Sequence, residues 1–133
     1  MSQENIEVAR SFYEAFLTDD PSSAERFVER GFEFVPARTH HIYFTAPSHG
    51  LEEFNRRYTE LTNQFETYEA RPEKFIDAGE DRLVAVLRRI TKSHGVRAEE
   101  RFGHVITMRG GRISRIVSFG TPAEALEAAG LRK

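Results

Sequence analysis

Residues 83–119 contain three apolar-rich runs punctuated by His94-Gly95 and Gly110-Gly111. Glycine accepts the positive φ that two-residue hairpin turns demand. The runs 83–92, 96–109 and 112–119 are therefore predicted to be consecutive antiparallel strands. The first turn also sets a register. With His94 and Gly95 as its two residues, Ser93 pairs with Val96, Arg89 lies opposite Glu100, Leu87 opposite Phe102 and Ala85 opposite His104. Alternate residues share a face of a sheet. One face then carries Ala85, Leu87, Arg89, Glu100, Phe102, His104 and Ile106. The other carries Val84, Val86, Arg88, Ile90, Glu99, Arg101, Gly103 and Val105. Both are partly apolar, so both need cover: helices on one side and, on this reading, a second copy of the chain on the other. Arg88 and Arg101 fall opposite each other and should each lean on a carboxylate, from Glu99 or from the second copy.

The remaining elements follow from period and punctuation. Ile6, Ala9, Tyr13 and Phe16 recur at helical spacing over 4–17, with Phe12 alongside. Ser22 and Glu25 read as a capping box for a short second helix that Gly31 ends. Phe32 to Val35 alternates like a strand. Residues 36–50 have the composition of a loop, long for a small domain and containing His40, His41, Tyr43 and His49. Leu51, Phe54, Tyr58, Leu61 and Phe65 then form one apolar stripe, predicting a helix over 51–65. The segment 68–77 is extended, with Pro72 marking an edge or a bulge. Thr121, Pro122 and Glu124 open a last helix as N-cap, N1 and N3, and Gly130 suits its end. The pattern is that of one α+β domain over 1–133, its sheet curved around a small-molecule pocket.

Composition excludes several classes. The 133 residues carry 19 basic and 21 acidic side chains, a net charge of −2 that attracts neither nucleic acid nor an anionic membrane. There is no cysteine, hence no disulfide framework and no thiolate nucleophile. The N-terminus lacks the charged and apolar regions of a signal peptide, and no run spans a membrane, so a cytoplasmic setting is expected. Eleven Phe and four Tyr supply an aromatic interior, which lines pockets as well as filling cores.

Three stretches carry a resemblance. Ser11-Phe12-Tyr13-Glu14-Ala15-Phe16, the run from His104 to Ile113, and the ending from Ala123 to Leu131 are similar to the SnoaL-like branch of the nuclear transport factor 2-like superfamily. The resemblance spans nearly the whole chain. It implies a cone-shaped α+β fold, a curved antiparallel or mixed sheet wrapped around helices with an internal pocket, commonly dimeric through the sheet. Relatives of this kind include polyketide cyclases, ketosteroid isomerases, limonene-type epoxide hydrolases and binding proteins without chemistry, so fold alone does not set function. The resemblance also assigns the face of Phe102, His104 and Ile106 to the pocket.

On that assignment His104, Glu100 and Arg89 are the candidate catalytic residues. The candidate ligand-binding residues are Tyr13, Phe16, Phe34, His40, His41, Tyr43, Tyr58, Leu87, Phe102, Ile106 and Ser118. Each has a plainer reading. An inward histidine also fits a hydrogen-bonded core residue, and Arg89 with Glu100 fits a structural ion pair. Tyr13, Phe16 and Tyr58 at helical spacing are core residues first. Adjacent loop histidines without cysteine or a spaced carboxylate are weak metal ligands, so neither a metal nor a cofactor is expected. Glu100 and His104, four strand residues apart, are separated by roughly 13 Å and cannot orient one another. A neutral His104 at pH 7 follows from that separation together with burial.

The acid–base positions implied by the relatives are otherwise empty here. The isomerase carboxylate after the first strand falls at Phe34-Val35-Pro36, the oxyanion tyrosine near Phe12 with Tyr13 adjacent, and the second acid near Gly103. The epoxide hydrolase Arg/Asp pair falls where this chain has Ala85 and Leu87. The final carboxylate falls at Ser118-Phe119-Gly120-Thr121. Two readings result. The first is an isomerase or cyclase acting on an apolar or polyketide-like carbonyl compound, with His104 as acid or base and Arg89 stabilising an enolate or holding a ligand carboxylate. The second is a non-catalytic ligand-binding or dimerisation module. A cavity of about 300 Å³ or more beside His104 would favour a bound ligand.

Overall fold

The computed structural model of the chain describes residues 2–18, 20–37 and 46–131. Helix α1 (Ser2–Thr18) buries Ala9, Phe12, Tyr13 and Phe16 along one side. A 3-10 helix follows at Pro21–Phe27, and its N-cap is Asp20 rather than Ser22: the Asp20 carboxylate accepts the Ser22 backbone N–H at 3.2 Å. Pro21 is the reason. Proline suits the first helical position, which moves the cap two residues earlier, from Ser22 to Asp20. Gly31 does not end this helix either. The chain is already extended at Val28, and strand β1 (Val28–Val35) runs straight through Gly31.

Strand β2 (Ser48–His49) emerges from the segment expected to be loop and pairs antiparallel with β1. Gly50, at φ 87°, turns the chain into α2 (Leu51–Thr62), three residues shorter than its apolar stripe. Four long strands follow: β3 (Thr67–Gly79), β4 (Arg82–Ser93), β5 (Val96–Arg109) and β6 (Arg112–Phe119), then helix α3 (Pro122–Ala128). The described residues form a six-stranded sheet in the order β2-β1-β6-β5-β4-β3. It is mixed, because β1 runs parallel to β6. Pro72 sits on the edge strand and beside a bulge, the positions where a missing N–H costs least.

The predicted register holds along the whole β4–β5 hairpin, from Ser93 opposite Val96 through Arg89 opposite Glu100 to Ala85 opposite His104. His94 and Gly95 both have positive φ, as the turn requires. The two faces part as the alternation demands. On the inner face Ala85, Leu87, Phe102, Ile106, Ile113 and Ile116 pack with Phe12, Phe32, Phe54 and Leu61 from α1, β1 and α2. Each fully buried Phe there contributes roughly 1.5–3 kcal/mol.

On the outer face Val84 and Val105 pack against Ala125 of α3 and Ala129 just beyond its end. Arg82 donates to the Ala129 carbonyl at 3.1 Å and ties down the end of that helix. Further along the same face, Arg88 pairs with Glu99 and, at 3.3 Å, with Glu73 of β3, while Arg101 reaches Glu73 at 2.6 Å. The expected carboxylates therefore come from this chain. Among the described residues no helix is long and apolar enough to cross a membrane.

Candidate functional site

Strand β5 delivers His104 to the inner face between Ala85 of β4 and Ser118 of β6. Both neighbours are small, which leaves a gap beside the imidazole. Helix α1 brings Tyr13 to that gap, its hydroxyl 2.7 Å from His104 Nδ1. The two rings lie 5.8 Å apart and nearly parallel, and Phe34 and Phe102 stand edge-on to the imidazole at 5.7 and 5.4 Å. Tyr13 and His104 are both buried, at 3% and 7% exposure. Burial pushes the Tyr13 phenol far above its ordinary value, so it stays protonated. The tautomer of His104 decides which partner donates in this bond.

A second polar group stands at the other side of Phe102. The Arg89 guanidinium carbon lies 4.6 Å from the Phe102 ring centroid, and its Nη2 is 3.4 Å from Glu100 Oε2. The Arg89 charge also acts on the nearby Tyr68 phenol. Tyr58 meets Tyr68 edge-on at 5.7 Å. Burial raises the pKa of both phenols. For Tyr68 the Arg89 charge pulls the other way, and for Tyr58 the neighbouring Tyr68 adds to the rise. Arg89 is buried, whereas the Glu100 side chain is 57% exposed.

Between these groups lies a cavity of about 50 Å³. That is room for a few waters at roughly 10–15 Å³ each, well short of the 300 Å³ set as favouring a ligand. Its lining includes Tyr13, Phe16, Phe34, Tyr58, Leu87, Arg89, Phe102, His104 and Ser118, as expected from the sequence. Ile106 is fully buried in the core but does not line the cavity, and neither does Glu100, which acts here as the outer partner of Arg89. His40, His41 and Tyr43 lie outside the described residues. Among the described residues no cluster of three His, Cys, Asp or Glu side chains could hold a metal ion.

The structure adds wall residues that sequence reasoning left out, chiefly Phe12, Phe54, Tyr68, Ala70 and Ile116. Phe54 was visible in the stripe of α2. Tyr68 and Ala70 needed the β3–β4 register, Ala70 opposite Arg89, which two bulges between the Gly79 turn and Ala70 hide from a reading of the sequence. Gly103, where an acid of the isomerase kind was aligned, points to α3 and not to the cavity. A Cβ there would stand 2.6 Å from the Ala125 Cβ.

A mixed sheet with two helices on its inner face and one on its outer face, around an aromatic cavity, is the architecture of the nuclear transport factor 2-like proteins. The sequence profile of the SnoaL-like domain matches residues 9–116, and the chain belongs to that family. Solved structures agree in fold. TerC, co-crystallised with polyporic acid, is 22% identical with a TM-score of 0.78, over 96% of this chain and 98% of its own. A nuclear transport factor 2-like protein of Burkholderia thailandensis is 20% identical with a TM-score of 0.76, over 92% and 96%. A protein of a Jannaschia species, named by likeness as a SnoaL-like polyketide cyclase, is 17% identical with a TM-score of 0.70, over 89% and 85%. No curated protein matches the sequence.

Proposed function

We propose that this chain is a small-molecule pocket protein that moves a proton on an apolar or polyketide-like carbonyl compound, in the manner of an isomerase or cyclase. The observation that carries the reading is the 2.7 Å bond between Tyr13 and His104 inside the cavity. As a neutral ring donating Nδ1–H to the phenol oxygen, His104 holds a lone pair on Nε2. It can take a proton from the carbon beside a carbonyl and return it to another carbon, which is net isomerisation without cofactor. In the other tautomer Tyr13 donates to Nδ1 and Nε2–H can donate to the carbonyl oxygen. The apolar wall suits such a compound, and the likeness to a polyketide cyclase and to a protein crystallised with polyporic acid supports the substrate class.

The second reading, a binding or dimerisation module without chemistry, is favoured by the cavity of only about 50 Å³. Incubation with a panel of enolisable ketones in deuterated water tests the first reading. Deuterium entering the α-carbon in wild type but not in His104→Ala supports it. No exchange with any ketone, together with a concentration-dependent dimer in sedimentation, supports the second.

A further inference from the structure

Arg89 is a buried cation at the aromatic wall, and its surroundings decide between its two expected roles. Its guanidinium lies against the face of Phe102, while His104 meets the same ring edge-on. Their backbones are four strand positions apart, roughly 13 Å, but both side chains reach the Phe102 ring, which keeps the guanidinium carbon and the imidazole centre within about 10 Å of each other. With both groups flanking that ring, one carbonyl oxygen at His104 is poorly placed for Arg89. A second oxygen group, carried about one ring's length away on the same ligand, is well placed. Tyr68 and Tyr58, packed edge-on against each other, line the same cavity and keep their hydroxyl protons, so both can donate to an anion. Glu100 stands on the solvent side of Arg89, more than half exposed. Water screens that pair, so it does not cancel the charge presented to the cavity.

We propose that the Arg89–Tyr68–Tyr58 end is a carboxylate subsite, so that the pocket takes compact, largely apolar monocarboxylates whose carboxylate rests on Arg89 and whose far end faces His104. The inference rests on the pocket reading above but not on its chemistry. A guanidinium fork matches a carboxylate with two parallel N–H donors, which an amide cannot reciprocate. Phe102 holds the guanidinium from one side and limits its rotation, so the fork is presented in one orientation. The cavity size places the head group inside and requires wall rings to shift for anything larger than a few atoms.

The probes are acetate, benzoate and benzamide, followed by chemical-shift titration of the full chain. Wild type is expected to bind benzoate at least tenfold more tightly than benzamide. Arg89→Met should abolish that preference, and Tyr68→Phe should weaken benzoate several-fold while benzamide is unchanged. Should Arg89→Met fail to fold, Arg89→Lys keeps the charge without the fork and should lose most of the preference. Equal binding of benzoate and benzamide by wild type, no binding of any probe, or a preference that survives both Arg89 variants overturns the subsite. None of these outcomes touches the deuterium exchange at His104, so the two proposals fail separately.

Discussion

Strands β4 and β5 have two faces built from alternating residues of the same hairpin, and the two were closed differently. On the outer face Gly103 lies opposite Val86 and next to the Val84–Val105 pair, and α3 descends until Ala125 nearly touches the glycine. Small residues on both sides allow the backbones to approach, and the layer seals. On the inner face the covering helices carry Phe12, Tyr13, Phe16, Phe54 and Tyr58. Rings of that size hold the layers apart, and where β6 offers only Ser118 beside His104, a cavity remains. Side-chain volume therefore decides which face of one hairpin is solid and which is hollow.

The largest expected effect lies on the hollow face. His104→Ala should keep the fold, enlarge the cavity and lower any turnover by about 10²–10⁴-fold, the usual worth of a placed acid or base. His104→Phe should fold and exclude ligand. Normal turnover in His104→Ala, read with any ketone that exchanges deuterium in wild type, would assign the hollow face to binding alone.

The next effect lies on the solid face. Gly103→Val should destabilise the chain by about 1–3 kcal/mol or more, because the new side chain meets Ala125 and the Pro122 backbone. Urea unfolding measures it, and Ala125→Gly in the same chain should restore part of the loss. A neutral Gly103→Val would mean that α3 is not seated as described.

Alkali should loosen the hollow face first. The folded chain raises the Tyr13 phenol above its ordinary value near 10, so above that pH the unfolded chain releases a proton that the folded one keeps. Stability is full below pH 10 and falls by about 1.4 kcal/mol per pH unit above it for Tyr13. Tyr58 and Tyr68 act in the same direction. Phenolate absorbance should therefore appear together with unfolding. Titration of Tyr13 in the still-folded chain would contradict its burial.

The smallest effect belongs to the charged end of the solid face. The Arg101 hydrogen bond, assisted by the charges of Arg101 and Arg88, holds the Glu73 carboxyl below its ordinary value. Its contribution is present above the ordinary carboxylate pKa and is lost as pH falls through the lowered one. Glu73→Gln should melt slightly below wild type at neutral pH and together with it in strong acid, and added salt should shrink the difference.

What the sequence determined by itself is the sheet register and the division of residues between faces. His94-Gly95 is local chemistry: a two-residue turn leaves one possible pairing, and the period of two assigns every side chain from it. That placed Arg89, Phe102 and His104 together on the correct face. The register could not say how far the covering helices stand off, because that depends on the volumes of residues distant in the chain. So the pairing of Tyr13 with His104, the seating of α3 on Gly103, the parallel junction of β1 with β6 and the modest size of the cavity were decided by tertiary structure alone. Each is a contact between segments that no turn connects, and packing rather than local propensity selects among the arrangements such segments can adopt.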